Sequence, residues 1–328
     1  MSTAAGKVAY HLRPNKAIDR QLFLDVLTRI NGRAPLQDYE YVGFGGPFLE
    51  DFRSVHAQFG IKRMISLEMD PLVLARQKFN RPVKCIALRH QKSRDFLDTY
   101  QPVRNTIVWF DYSSPTELRE QLGEFEQLLS LLGVGDIAKI TVNANPAAAL
   151  PLIEDGTKPK PPADEVRAER LLKLRSLINE YLPDDASADD VTHGRLPLLL
   201  FRAIEFAWLR AMEARPELAF LPLTSFAYND QAHTMLTVTG TIVNTDDQKA
   251  FLKRTGIAKW PLGLPVSRQP VSISVPILST KERLLIDRSL PGTSSKTIAK
   301  RLKFSSEAYL SDYVRFYRYY PLYSRVLL

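Results

Sequence analysis

The chain is poor in the residues that build cysteine and histidine sites. Its 328 residues include five histidines and a single cysteine, Cys85. One cysteine excludes a disulfide framework within the chain and a cysteine-based zinc site, and it fits a reducing compartment. No group of histidine, cysteine and carboxylate residues has the spacing of a metal-ligand set. The sequence therefore predicts no metal centre.

Long hydrophobic runs are also missing. No uninterrupted apolar span is long enough to cross a bilayer, and the first residues lack the apolar core of a signal peptide. The apolar content of 45% and the charged content of 24% are ordinary for a soluble globular protein. We therefore expect a cytoplasmic protein without a membrane partner, long enough for one large domain or two smaller ones.

The positive charge is concentrated near the C-terminus. The net charge of the chain is +8, and residues 279–328 hold ten Lys and Arg against four Asp and Glu, a balance of +6. A basic segment of this kind can bind DNA, RNA or another polyanion. The alternative interpretation is a helical surface that is charged only to stay solvated.

The most informative stretch covers residues 39–71. An apolar run leads into Gly43-Phe44-Gly45-Gly46, a helical segment follows, and a second apolar run ends at Glu68. This order is typical of a nucleotide-binding βαβ unit, because glycines allow a close backbone approach and a carboxylate at the next strand tip can bind a ribose diol. An ordinary strand-to-helix turn without a ligand is the alternative.

Further strands are predicted at 83–88, 106–110 and 137–142, with helical segments between them. Five strands that alternate with helices indicate an α/β fold with a doubly wound, mostly parallel sheet. Two runs around residue 230, at 224–229 and 234–244, predict an antiparallel hairpin at the sheet edge.

The remaining segments suggest three parts. We expect an N-terminal helical segment over 1–36 and a main domain over 37–245 with a helical insertion at about 151–195. A proline-rich connector and a basic module of three short helices should fill 246–328, with the connector extended over 260–276. The last two helices could form a helix-turn-helix that binds nucleic acid through its cations and its interleaved tyrosines. The candidate contacts are Lys300, Arg301, Lys303, Arg315 and Arg318.

Over roughly residues 37–245 the chain resembles the class I S-adenosylmethionine-dependent methyltransferases. The shared features are the glycine turn, the run Ser66–Pro71 with its acidic residue and Asp-Pro helix start, and the polar motif Asp111–Pro115 after the fourth strand. The final antiparallel hairpin is a further common feature. The chain departs from the pattern at Tyr41, where the family has an acidic residue, and at Pro47, which replaces its last glycine.

The resemblance implies S-adenosylmethionine as the cofactor. It implies that Glu68 holds the ribose, that Met69 packs on the adenine, and that Asp111 lies near the methionine moiety or the acceptor. The acidic residue that meets the adenine amine would be Asp95, because Lys92 stands near its usual place. The implied cofactor-binding set is Gly43, Gly45, Gly46, Glu68, Met69 and Asp95.

Asp111 and Tyr112 are the candidate catalytic residues. A carboxylate can act as a base for a hydroxyl or ring nitrogen, or it can orient an amine. Tyr112 can stack on a planar acceptor. The alternatives are a carboxylate that caps a helix or holds a loop, and an aromatic ring that only packs.

We therefore predict an S-adenosylmethionine-dependent methyltransferase whose acceptor is a nucleic acid ahead of a small molecule or a protein. An NAD-dependent dehydrogenase is disfavoured, since its motif requires glycine at the position of Phe48. The stronger rival is a non-catalytic nucleotide-binding or nucleic-acid-binding protein on a methyltransferase-like fold.

Overall fold

A computed structural model describes residues 13–32, 34–151, 161–230, 233–302 and 306–321. Eight strands form one sheet in this part of the chain. Their bounds are β1 Glu40–Gly43, β2 Arg63–Glu68, β3 Ile86–His90, β4 Thr106–Asp111, β5 Ile137–Asn143, β6 Leu218–Asp230, β7 His233–Asn244 and β8 Val271–Ile273.

Helices cover both faces of the sheet. Their bounds are α1 Pro14–Asn31, α2 Glu50–Phe59, α3 Pro71–Asn80, α4 Ser93–Leu97, α5 Leu118–Leu131, α6 Pro146–Ala149, α7 Ala163–Ile178, α8 Leu196–Glu213, α9 Gln248–Arg254, α10 Leu264–Ser267, α11 Thr280–Asp287, α12 Ser295–Leu302 and α13 Glu307–Phe316. Within the described residues no helix is long and apolar enough to span a membrane.

The strand order is β3-β2-β1-β4-β5-β7-β6-β8. The first five strands pair in parallel, and β7 runs antiparallel to both β5 and β6. The chain reverses its winding direction after β3, which leaves a crevice at the carboxyl ends of β1 and β4. The predicted α/β fold with a doubly wound sheet and an antiparallel hairpin is confirmed.

Three elements differ from the sequence-based expectation, and one of them is β6, which begins at Leu218 and not at the predicted residue 224. The third strand begins at Ile86, three residues after the predicted start, and it continues to His90. The segment 260–276 was expected to be an extended connector, but it contains α10 and also β8, which pairs in parallel with β6. Strand β8 escapes sequence recognition because it is only three residues long and lies among prolines.

Side chains alternate between the two faces of the sheet along each strand, so the core is divided into two layers. In β4, Ile107 and Trp109 face the layer that contains α1 and α2, whereas Val108 and Phe110 face the layer that contains α5 and α8. All four side chains are buried. Strand β4 is therefore apolar on both faces, as expected for a central strand of a doubly wound sheet.

The last three helices enclose a small cluster of their own. Its buried members are Ile286, Ile298, Leu302, Leu310 and Tyr313. The module is also fastened to the main body, because Phe316 is buried in the core layer of α1 and the Tyr319 hydroxyl donates to Asp25 at 2.9 Å. The C-terminal module therefore packs against α1 and helps to fix its position.

Candidate active site

The glycine turn after β1 is closely packed. A Cβ on Gly43 would lie 2.8 Å from the backbone oxygen of Trp109, and one on Gly45 would lie 2.7 Å from Ser66 Oγ. Gly46 has a φ of 50°, a left-handed conformation that favours glycine. The Gly45 amide donates to Ser66 Oγ at 3.3 Å, which ties the turn to β2. Packing therefore requires glycine at positions 43 and 45, and the backbone conformation favours it at position 46.

Glu68 ends β2 beside this turn, and its carboxylate accepts a hydrogen bond from the Asp70 amide at 2.8 Å. Partial burial raises the pKa of Glu68, although hydrogen bonds from the following turn offset part of the increase. Asp70 caps α3 through the amides of Leu72 and Val73. The helix start holds the Glu68 carboxylate at the strand tip.

The other two residues assigned to the adenosine lie next to this carboxylate or on the neighbouring helix. Met69 is 63% exposed, and its backbone oxygen is 2.9 Å from the imidazole Nε2 of His90. An exposed thioether beside the carboxylate is a suitable surface for an adenine ring. Asp95 is exposed in the first turn of α4, and Lys92 is exposed just before that helix.

Asp111 ends β4 and faces the layer of α1. Lys16 of α1 donates to its Oδ2 at 2.8 Å, and the Lys16 and Asp111 side chains are 6% and 16% exposed. Burial by itself would raise the pKa of Asp111, but Lys16, together with Arg20 and Lys139, holds that pKa below the usual value. Asp111 is therefore an ion-paired carboxylate that is ionised at neutral pH.

Tyr112 faces the opposite layer, as a residue adjacent to Asp111 in an extended segment must. Its hydroxyl donates to Glu124 at 2.6 Å, and its ring makes edge contacts with Phe44 and Phe110. Burial and the nearby Glu124 carboxylate raise the pKa of Tyr112 well above its ordinary value. The structure thus brings Asp111, Glu68 and the glycine turn to one edge, while Tyr112 packs beneath Phe44.

Sequence reasoning missed the cations at the start of α1 and directly before it that reach this edge. Arg13 pairs with Asp230 at 2.7 Å, at the end of β6, and Arg20 contacts Glu50 and Asp51 at the start of α2. The available signal was a set of charged residues at helical spacing within an otherwise apolar helix. Their partners are distant in sequence, so the pairing itself was not predictable.

The tip of β5 adds two amides and an imidazole. The Asn145 backbone amide donates to Asn143 Oδ1 at 2.9 Å, and Asn143 Nδ2 lies 3.4 Å from Nδ1 of His233. Asn145 also caps α6. His233 opens β7 and is exposed. It had not been selected from the sequence, because it lies at a predicted turn.

The basic residues of the C-terminal module lie on its surface. Lys300, Arg301, Arg315 and Arg318 are exposed, and Arg301 donates to Ser289 at 2.8 Å. Lys303 lies outside the described residues. The tyrosines mostly pack: Tyr313 is buried and donates to Asp287 at 2.8 Å, Tyr319 binds Asp25, and Tyr320 packs against Tyr313.

The described part of the chain contains no group of three or more histidine, cysteine, aspartate or glutamate side chains that could hold a metal ion. The site is instead built from glycine backbone, single carboxylates at strand tips and the cations of α1. Strand β1 lies between β2 and β4, so the glycine turn lies between the strand ends that bear Glu68 and Asp111.

A family profile described as "Putative O-methyltransferase" matches residues 8–328. The chain belongs to this family. Membership of a methyltransferase family implies S-adenosylmethionine as the cofactor. No curated protein matches the methyltransferase.

Several solved structures are similar to the methyltransferase at low identity. The O-methyltransferase TomG from Streptomyces achromogenes, in complex with SAM, is 13% identical, with a TM-score of 0.37 and coverage of 69% of this chain and 80% of TomG. The N-methyltransferase NodS from Bradyrhizobium japonicum WM9 is 8% identical, with a TM-score of 0.35 and coverage of 69% and 97%. LepI, in complex with SAH and a substrate analogue, is 13% identical, with a TM-score of 0.35 and coverage of 66% of this chain. The methyltransferase spans only 46% of the LepI chain.

Proposed function

We propose that this protein transfers a methyl group from S-adenosylmethionine to an oxygen atom of an acceptor that binds beside Asp111 and Lys16. The observation that carries the proposal is the family match, which extends over residues 8–328 and so includes both the sheet and α1. The carboxyl ends of β1, β2 and β4 meet at the crevice where ligands bind in folds of this kind.

The residues present fit the adenosyl cofactor. The glycine turn after β1 allows a close backbone approach, the Glu68 carboxylate is a suitable acceptor for the ribose hydroxyls, and Met69 offers an apolar surface for the adenine. When bound, the cofactor supplies an electrophilic methyl group on its sulfonium. Its methionine end would lie toward the tip of β4.

The protein's own contribution is to position the acceptor and to exclude water. Lys16 and Asp111 form a fixed, largely buried ion pair at the tip of β4. The ammonium can donate to an acceptor oxygen, and the carboxylate holds that ammonium in place. Arg13 and Arg20 fasten the same helix on either side of Lys16, so the pair is supported by a rigid element.

Replacement of Glu68 tests the cofactor site. We expect Glu68→Ala to weaken S-adenosylmethionine binding about 10- to 100-fold, because hydrogen bonds to a charged group contribute about 1.5–3 kcal/mol. Glu68→Gln, which keeps an acceptor for the Asp70 amide, should cost less. Calorimetric titration with S-adenosylmethionine and S-adenosylhomocysteine measures both. The control is Glu165→Gln, the same chemical change at an exposed position of α7. Unchanged affinity in a natively folded Glu68→Ala protein would remove Glu68 from the site.

A nucleic-acid acceptor is the second candidate, and it is supported by the exposed face of α12. Ile298 and Leu302 are buried, whereas Lys296, Lys300 and Arg301 are exposed on the rest of this short helix. Exposed cations on a compact module suit phosphate contacts. Because the tyrosines are packed, nucleic-acid binding to this surface would depend mainly on charge.

Salt dependence tests this second candidate. Binding to a labelled single-stranded RNA or a duplex DNA should weaken steeply with ionic strength, and Lys300→Glu/Arg301→Glu should reduce the affinity at least tenfold at 50 mM salt. The matched control is Lys249→Glu/Lys253→Glu on α9, which makes the same charge change on another exposed helix. Equal losses in both double variants would show a non-specific charge effect and would contradict a role for the module.

A further inference from the structure

We propose that the acceptor oxygen is already an oxyanion when it binds, so that the substrate class is carboxylates and acidic phenols rather than alcohols. This inference rests on the proposed transfer to oxygen and adds the ionisation state of the acceptor. The basis is the set of side chains at the tips of β4, β5 and β6, where Lys16 pairs with Asp111, Arg13 pairs with Asp230 and Asn143 contacts His233.

Asp111 is poorly suited to removing a proton from a hydroxyl. Its Oδ2 accepts from Lys16 at 2.8 Å. The titratable and charged groups around it are Lys16 and Arg20 of α1, Lys139 of β5, Tyr41 of β1 and Tyr228 of β6. The three cations together lower the pKa of this carboxyl below its usual value despite burial. A hydroxyl with the pKa of a phenol, about 10, would not give up its proton to such a group.

His233 contacts the Asn143 amide at the tip of β5. The Asn145 backbone amide donates to Asn143 Oδ1 at 2.9 Å, which fixes the orientation of the Asn143 amide. Asn143 Nδ2 therefore faces Nδ1 of His233, at 3.4 Å, and Nδ1 accepts. In the tautomer that accepts this contact, the single proton of the imidazole is on Nε2. The ring nitrogen that points away from Asn143 is a donor.

The N-cap residue and the first turn of α1 contribute further donors to this edge. The Arg13 guanidinium forms an ion pair with the Asp230 carboxylate at the end of β6, at 2.7 Å, and Lys16 forms one with Asp111. Glu68 lies two strands away on the side assigned to the ribose. In the described part of this edge Asp111 and Asp230 each form an ion pair with a cation through Oδ2, and Oδ1 of Asp230 is buried without a hydrogen-bond partner. Preorganised donors of this kind stabilise an oxyanion that attacks in line, and the attack then needs no base.

The balance of the step is simple. The acceptor oxyanion forms a bond to the methyl carbon as the bond from sulfur to that carbon breaks, and the electron pair stays on sulfur, which becomes a neutral thioether. The negative charge of the acceptor and the positive charge of the sulfonium are both lost. No proton is transferred, so the enzyme requires no group with a pKa near neutrality for this step.

The test compares acceptors of one shape and different acidity. Purified full-length enzyme is incubated with S-adenosylmethionine labelled in the methyl group and with three sets of probes: substituted benzoates, nitrophenols and chlorophenols of graded pKa, and the benzyl alcohols that match the benzoates. We expect transfer to benzoates or acidic phenols at least 100-fold faster than to the matched alcohols. The pH at which kcat/KM for the phenols reaches its plateau should follow the pKa of each phenol.

The His233→Gln variant distinguishes a pH inflection caused by ionisation of the acceptor from one caused by ionisation of the enzyme. In this variant the pH inflection should remain at the acceptor's pKa, whatever happens to the maximal rate. An inflection that is the same for all phenols and disappears in His233→Gln would overturn the inference, and so would efficient transfer to the benzyl alcohols. Neither of these results touches the proposed O-methyl transfer. If none of the probes is methylated although calorimetry shows that the cofactor binds, the result would contradict the proposed function and, with it, the inference.

Discussion

Replacement of Asp19 by alanine is expected to lower the free energy of unfolding by about 3–5 kcal/mol, because it leaves a buried ammonium without its counter-charge. Asp19 of α1 accepts from Lys139 Nζ at 2.7 Å, and the two side chains are 0% and 1% exposed. Burial lowers the pKa of Lys139, and Asp19 partly restores it. Thr237 also donates to Asp19, at 3.1 Å, so the variant breaks a buried network.

The double variant Asp19→Leu/Lys139→Met is the matched control for this prediction. Removing both charges leaves no unpaired ion, and such replacements are often neutral or stabilising. Urea unfolding followed by circular dichroism measures the three proteins. Lys139 lies over the Trp109 ring at 3.9 Å, so tryptophan fluorescence offers a second probe of the same region. A single variant no less stable than the double variant would mean that water reaches Lys139 and that the pair does not hold α1.

The sheet was predictable because its central strands are continuous apolar runs. Such runs are expected only of strands that are buried on both faces. Thr106–Asp111 and Ile137–Asn143 appear at the predicted places, each with a polar residue at its carboxyl end. Once the order of strands and helices is known, parallel pairing brings those ends to one edge. The position of Asp111 therefore followed from sequence, as did that of Glu68 at the end of β2.

The electrostatics of the site did not follow from sequence. Lys16 and Asp111 are separated by 95 residues, and Asp19 and Lys139 by 120, so no local pattern connects them. The helix itself was predicted, but no role was assigned to its charged residues. Alternation could have placed Tyr112 on the opposite layer from Asp111, since consecutive residues of an extended segment point to opposite sides.

Replacement of Lys16 by methionine should reduce kcat/KM for methyl transfer about 100-fold, in the range found when one oxyanion-stabilising donor is removed. Lys16→Arg should retain part of the activity, because it keeps a cation within reach of Asp111. Both variants should bind S-adenosylmethionine within about threefold of the wild type, provided that the cofactor is held mainly by the β1 turn and Glu68. The measurement is a kcat/KM determination on the best benzoate or phenol of the acceptor panel, with calorimetry for the cofactor. Full activity in Lys16→Met would exclude the ammonium from the acceptor site.

The stability lost in the Lys16→Met variant should also depend on pH. In the wild type the pKa of Asp111 is lowered, so its ion pair stabilises the fold above the unfolded pKa of about 3.9, and this contribution is lost as the pH falls through the folded pKa. Without Lys16, the burial that raises the pKa is opposed only by Arg20 and Lys139, so the folded variant retains a proton to higher pH. The stability lost in Lys16→Met should therefore grow between pH 4 and 7, to at most about 3 kcal/mol, the lower end for one-sided removal of a buried charge. Urea unfolding at pH 4, 5.5 and 7 tests this. A loss that is constant across these pH values would mean that the methionine variant is destabilised by packing, and that Lys16 does not set the charge of Asp111.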